Sequence, residues 1–169
     1  MARSKHTWPR FRLCVALLVA LALLSVSACT TPTDELEIPN ADMRRFAADV
    51  YPVLLANCAF TACHGDGARP LSVFGPGRTR LDPKLDVYAK VTAEEIAFSY
   101  ARARSMLIDP DGPRRALLLR KPLAISAGGA QHEGDDPWGR AVFASKTDPR
   151  YEALFFWAIG EGWDEEDEP

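Results

Sequence analysis

A mainly α-helical fold in one domain follows from three observations. Apolar residues recur at helical spacing in three stretches, helix-start signals precede two of them, and no run of alternating apolar and polar residues is long enough to build a sheet. The 169 residues suffice for one core and not for two.

The chain opens with Arg3, Lys5, Arg10 and Arg12, continues through an apolar run from Leu13 to Val26, and reaches the small residues Ser27 and Ala28 before Cys29. The run falls short of the roughly 20 residues that span a bilayer, and the small residues suit a cleavage site. The pattern resembles a bacterial lipoprotein signal. The resemblance implies a signal peptide at 1–28, a lipid on Cys29 and a membrane anchor. Thr30, where an aspartate would resemble an inner-membrane retention signal, directs the expectation to the periplasmic face of the outer membrane. Cleavage before Cys29 leaves 141 residues and removes four Lys or Arg but no acid, so the formal charge moves from −3 to −7. With its basic residues scattered, so acidic a chain is not expected to bind nucleic acid. An uncleaved anchor or an ordinary signal peptide would export the protein equally.

Residues 29–40 are polar and broken by Pro32 and Pro39, as befits a tether. The globular domain is expected over 41–163. Its first helix carries Met43, Phe46, Ala47, Val50 and Leu54 on one stripe and runs toward Cys58, with Pro52 either kinking it or opening a second short helix. Glycine and proline crowd the stretch from Gly65 to Gly77, which reads as loop. Thr92 and Glu95 form a capping box for a helix with Ile96, Tyr100, Ala103 and Leu107 on one face, ending before Asp109-Pro110. Ala116 to Lys121 reads as a short helix stopped by Pro122. A loop with Gly128, Gly129, His132 and Gly134 follows, its glycines permitting close approach. Asp148-Pro149 opens the last helix, with Tyr151, Leu154, Phe155 and Ala158 on its stripe and Gly160 near its end. The tail at 164–169 is almost wholly acidic and reads as a solvated end, with docking of a basic partner as the functional alternative.

Cys58-Ala-Phe-Thr-Ala-Cys63-His64 carries the chemistry. Two thiols followed at once by an imidazole are what covalent haem attachment needs: the sulfurs add across the two vinyl groups, and the adjoining histidine becomes the proximal iron ligand. Four residues separate the cysteines where two are usual, so the intervening segment must loop outward. Three alternatives stay open. A Cys58–Cys63 disulfide suits an exported chain but leaves His64 unexplained. Zinc held by Cys58, Cys63, His64 and His132 has suitable ligand types and unsuitable spacing. A reactive thiol pair lacks its usual βαβ surroundings.

A helix leading into this motif, a loop-rich middle and a closing helix with Leu154 and Trp157 together resemble the class I cytochrome c domain. The likeness sharpens toward lipid-anchored cytochrome c-like proteins through Val50-Tyr-Pro52-Val-Leu54, Leu118-Leu-Arg-Lys121-Pro122, Gly128-Gly-Ala-Gln-His132-Glu-Gly134 and Leu154-Phe-Phe-Trp157-Ala-Ile159. It covers most of Phe46 to Gly162, departing at the cysteine spacing and at Ala158, which stands inserted before Ile159. The resemblance implies one covalent haem c, a crossing of the first and last helices, Cys58 and Cys63 as attachment points and His64 as proximal ligand. The distal ligand is expected at His132 in the glycine loop, with Met106 as the alternative and an iron without a protein ligand on that side as the third case. Such a protein would not be an enzyme but a carrier of single electrons between periplasmic redox partners; an open distal side would instead permit gas sensing or peroxidase activity. Arg69, Arg78, Arg80 and Arg140 are candidate partners for the haem carboxylates, and Trp138 and Trp157 candidate packing partners. The competing class is a haem-free lipoprotein that serves as an interaction module, closed by the Cys58–Cys63 disulfide.

Overall fold

The computed structural model describes residues 40–132 and 140–160. The segment 1–28, Cys29, the tether up to Pro39, the loop residues Gly134 to Trp138, Gly162 and the acidic tail lie outside those residues. The described part is mainly α, with no strand and a single isolated parallel bridge between Leu123 and Phe143. Among these residues no helix is long and apolar enough to cross a membrane.

Helix α1 (Met43–Arg45) starts at Asp42, whose carboxylate accepts the Arg45 N–H at 2.6 Å. It runs without a break through a π-helical stretch, Phe46–Val50, into α2 (Tyr51–Asn57). Pro52, the second residue of α2, decides this register. A proline inside a helix offers no N–H and crowds the carbonyl four residues back, and the π turn before it widens the spiral, the Tyr51 N–H reaching the Phe46 carbonyl. The proline therefore sits in the first turn of α2 and the helix passes it by widening.

The capping box forms as the sequence predicts. Thr92 accepts the Glu95 N–H at 3.2 Å and Glu95 accepts the Thr92 N–H at 3.1 Å, opening α3 (Ala93–Ser105). This helix ends a turn earlier than its apolar stripe suggests, with Met106 at its cap and Leu107 beyond it. A 3₁₀ turn (Pro113–Arg115) leads into α4 (Leu117–Arg120), and a second (Ile125–Ala127) follows it. The last helix, α5 (Pro149–Ile159), is capped by Asp148 and stopped by Gly160 at φ +71°.

The two ends of the described chain meet in the core. Phe46 packs on Trp157 with ring centres 5.2 Å apart and meets Tyr100 edge-on at 5.5 Å. The Trp157 indole N–H donates to the Asp42 carbonyl at 2.8 Å, and the Tyr100 hydroxyl to that of Ala41 at 2.7 Å. Trp157 therefore ties α5 to the start of α1, burying α5's apolar face against the opening helical segment.

The long loop before α3 is held by a buried ion pair. Arg80 donates to both Glu95 carboxylate oxygens, at 2.7 and 2.9 Å, and spends its other N–H groups on the carbonyls of Asp86, Ala89 and Lys90. The Leu81 N–H adds a bond to Glu95 at 3.2 Å. Burial pushes the Glu95 carboxyl up, but these hydrogen bonds outweigh it and hold it below the ordinary carboxylate value. Arg80 is thus committed to the loop's own carbonyls, which removes it from the arginines open to a bound carboxylate.

Candidate functional site

The end of α2 delivers Cys58. The Cys58 and Ala59 N–H groups both donate to the Leu54 carbonyl, after which the chain leaves the helix. The four residues between the cysteines divide: Ala59 is fully buried, whereas Phe60, Thr61 and Ala62 bulge into solvent. The bulge closes on itself, the Cys63 N–H donating to the Phe60 carbonyl at 2.8 Å and the His64 N–H to the Cys58 carbonyl at 3.1 Å. Closure returns Cys63 and His64 to the end of α2 despite the lengthened spacing. Gly65 makes it possible, since a Cβ there would stand 2.4 Å from the Ala59 carbonyl oxygen.

Cys58, Cys63 and His64 line one cavity of about 660 Å³. Met106 and His132 line it too, so five of the residues singled out from the sequence converge on the same space. Leu54, Leu71, Leu118, Val142 and Leu154 make much of its wall apolar, and among the described residues Arg69 and Lys121 are the charged side chains at it. A volume of this order belongs to pockets that enclose a small molecule.

The histidines are set by their neighbours. His64 Nδ1 lies 3.0 Å from the Leu71 carbonyl, which fixes the proton on Nδ1 and leaves the lone pair on Nε2. Burial lowers the His64 pKa, the Leu71 bond opposing it, which favours the neutral ring. His132 stands on the loop after α4. That loop is pinned where it passes the helix: the Ala130 N–H donates to the Arg120 carbonyl at 2.8 Å, and Lys121 Nζ to the Gln131 carbonyl at 2.7 Å. The two rings lie nearly parallel, at 6°, with centres 6.0 Å apart.

Both cysteines are free thiols. Burial, with Cys63 close by, pushes the Cys58 thiol up to about 12. The thiolate is the reactive form, so in protein made without haem Cys63 is expected to be alkylated at pH 8 about tenfold or more ahead of Cys58. Peptide mapping by mass spectrometry reads the order. Among the described residues no three of His, Cys, Asp and Glu gather as a metal-holding group, which a tetrahedral zinc site from Cys58, Cys63, His64 and His132 would need.

Arg78 is engaged at the C-terminal end of α2 and Arg140 lies on the surface. Trp157 is a core residue away from the cavity wall, and Trp138 lies outside the described residues. Lys121 stands in the Leu-Leu-Arg-Lys-Pro segment that the sequence picks out, but its place at the cavity wall and the carbonyl clasp that orients the His132 loop have no local sequence signal, because both arise from the packing of that loop on α4. No family model matches this chain, and neither a curated protein nor a solved structure matches it.

Proposed function

We propose that this chain is a lipid-anchored, periplasmic monohaem c-type cytochrome that carries single electrons between redox partners, with the haem joined to Cys58 and Cys63 and ligated by His64 and His132. The observation that carries the reading is the histidine pair. Two imidazoles bound on opposite sides of one metal, each nitrogen about 2 Å from it, have ring centres about 6 Å apart, and His64 and His132 stand at 6.0 Å with parallel planes beside both thiols. An apolar cavity with cationic side chains at its wall fits a planar ligand bearing carboxylates. The contact of the first and last helices through Phe46 and Trp157 supports a class I cytochrome c-like domain.

Bound there, haem supplies an iron that gains and loses one electron. The protein's own residues do the rest. His64 offers a neutral ring whose orientation the Leu71 carbonyl maintains, and the pinned loop holds His132 across the cavity. Leu54, Leu118 and Leu154 keep water from the interior face. If both His64 and His132 held the iron, the protein would leave it no position for a substrate, which favours a carrier over an enzyme. Met106 lines the same cavity and is the alternative distal ligand.

The test is export in a host with cytochrome c maturation, followed by haem staining of a denaturing gel and a reduced-minus-oxidised spectrum, beside Cys63→Ala. Covalent haem is expected in the wild type, with the share of chains attached at two points lost in the variant. No haem in the wild type, with a Cys58–Cys63 disulfide by mass, would overturn the reading in favour of the interaction module.

A further inference from the structure

Two arginines reach the bulge between the two cysteines from outside: Arg69 Nη2 donates to the Ala62 carbonyl at 3.4 Å, and Arg78 makes the wider set of contacts. Arg78 Nε donates to the Leu55 carbonyl and Nη2 to the Ala56 carbonyl, each at 3.2 Å, capping carbonyls that the end of α2 leaves without helical partners. The same guanidinium lies over the Phe60 ring, 4.2 Å from its centre. Alongside, the Thr61 and Thr79 hydroxyls are 3.3 Å apart, a second link between the bulge and the strand of loop that carries Arg78. Phe60 is 47% exposed, an aromatic on a solvent-facing loop. Its use lies in the face it presents to Arg78.

Resting on the cytochrome reading, we propose that Arg78 is the positioning residue that makes the four-residue cysteine spacing workable, holding the Phe60–Ala62 bulge against the end of α2 so that Cys63 and His64 return to the cavity. A two-residue spacing needs no such clamp because the thiols stay within about one helical turn. Four residues give the second thiol room to wander, and the guanidinium reduces that freedom by tying the Phe60 ring to the end of α2. Lysine cannot replace it: the site uses two N–H directions and a planar face together, which an ammonium lacks.

The test compares wild type, Arg78→Lys, Arg78→Ala and Phe60→Ala in two states. In protein exported with haem maturation, mass spectrometry of haem peptides should show double attachment falling in the three variants, with the deficit at Cys63 while attachment at Cys58 persists. In protein made without haem, the rate of Cys63 alkylation should rise about three- to fivefold in the same variants, as loss of a clamp of this strength permits. Phe60→Ala touches only the exposed ring and leaves the α2 hydrogen bonds intact, so it reports on the clamp even where Arg78→Ala fails to fold. Wild-type double attachment and unchanged Cys63 alkylation in Phe60→Ala and Arg78→Lys would overturn the clamp. A wild type without haem would sink the cytochrome reading alone, because the alkylation rates still decide whether the clamp exists.

Discussion

Glu95→Gln is expected to cost about 3–5 kcal/mol of folding stability, measured by urea or thermal unfolding, because it strips the counter-charge from a buried guanidinium. Arg80 and Glu95 have side chains 3% and 0% exposed, and every hydrogen bond that Arg80 makes goes to Glu95 or to the carbonyls of the loop it gathers. Removing the negative partner leaves that charge with backbone carbonyls and the more distant Asp86 carboxylate. The capping box weakens as well, since the Thr92 and Leu81 N–H groups both rely on the Glu95 carboxylate. Replacing both partners together, as Arg80→Met with Glu95→Leu, is expected to cost less than Glu95→Gln by itself, and a double-mutant cycle reads the difference.

The same pair sets an acid limit. The folded Glu95 carboxyl titrates below its ordinary value of 4.5, so near that pH the unfolded chain binds the proton first. The stability it contributes is whole above pH 4.5 and is lost as the pH falls through the lower folded value. The gap between wild type and Glu95→Gln should therefore narrow on acidification below 4.5. Because the pair anchors the loop before α3 and is absent from the cavity lining, the proposed haem, where bound, should load equally per folded molecule in the two proteins at pH 7.

What the sequence makes legible is what short-range chemistry determines. Thr92 with Glu95, and Asp148 with Pro149, announce α3 and α5 because a cap is satisfied within one turn, and both helices form there. The stripe from Phe46 to Leu54 shows a helix but hides its π register, which depends on how the chain before Pro52 accommodates a missing donor. Glu95 reads as a cap and nothing more: its bond to Arg80 reaches back 15 positions in sequence, across a loop that has no periodicity. Arg78 and Arg80 look alike in the sequence as surface arginines, yet one caps α2 and the other is buried. Cys58, Cys63 and His64 are legible by adjacency. That Met106 and His132 reach the same cavity is not, since one stands at the cap of α3 and the other in a loop whose course α4 decides.

Gly129 shows how such a loop is positioned, and its replacement has the second large expected effect. The glycines ahead of His132 suggest a segment that lies close against a bound ring, but Gly129 lies against the chain itself. A Cβ there would fall 1.8 Å from the Leu123 carbonyl oxygen and 2.5 Å from its carbon, backbone atoms that cannot rotate away. Leu123 is held in turn by the Ala124 N–H donating to the Phe143 carbonyl and the Phe143 N–H donating to the Pro122 carbonyl, both at 2.9 Å. In Gly129→Ala the glycine side must yield, stretching the Ala130–Arg120 and Lys121–Gln131 contacts that set His132 three residues on. The variant is expected to lose about 1–3 kcal/mol of stability, the usual cost of forcing atoms into a packed site. If the protein carries haem as proposed, the variant's absorption spectrum should move toward that of His132→Ala, which removes the proposed ligand without crowding the loop. Met106→Ala should leave the spectrum unmoved if His132 is the ligand. A Gly129→Ala protein that melts early but keeps the wild-type spectrum, beside a Met106→Ala protein that changes it, would transfer the distal position to Met106.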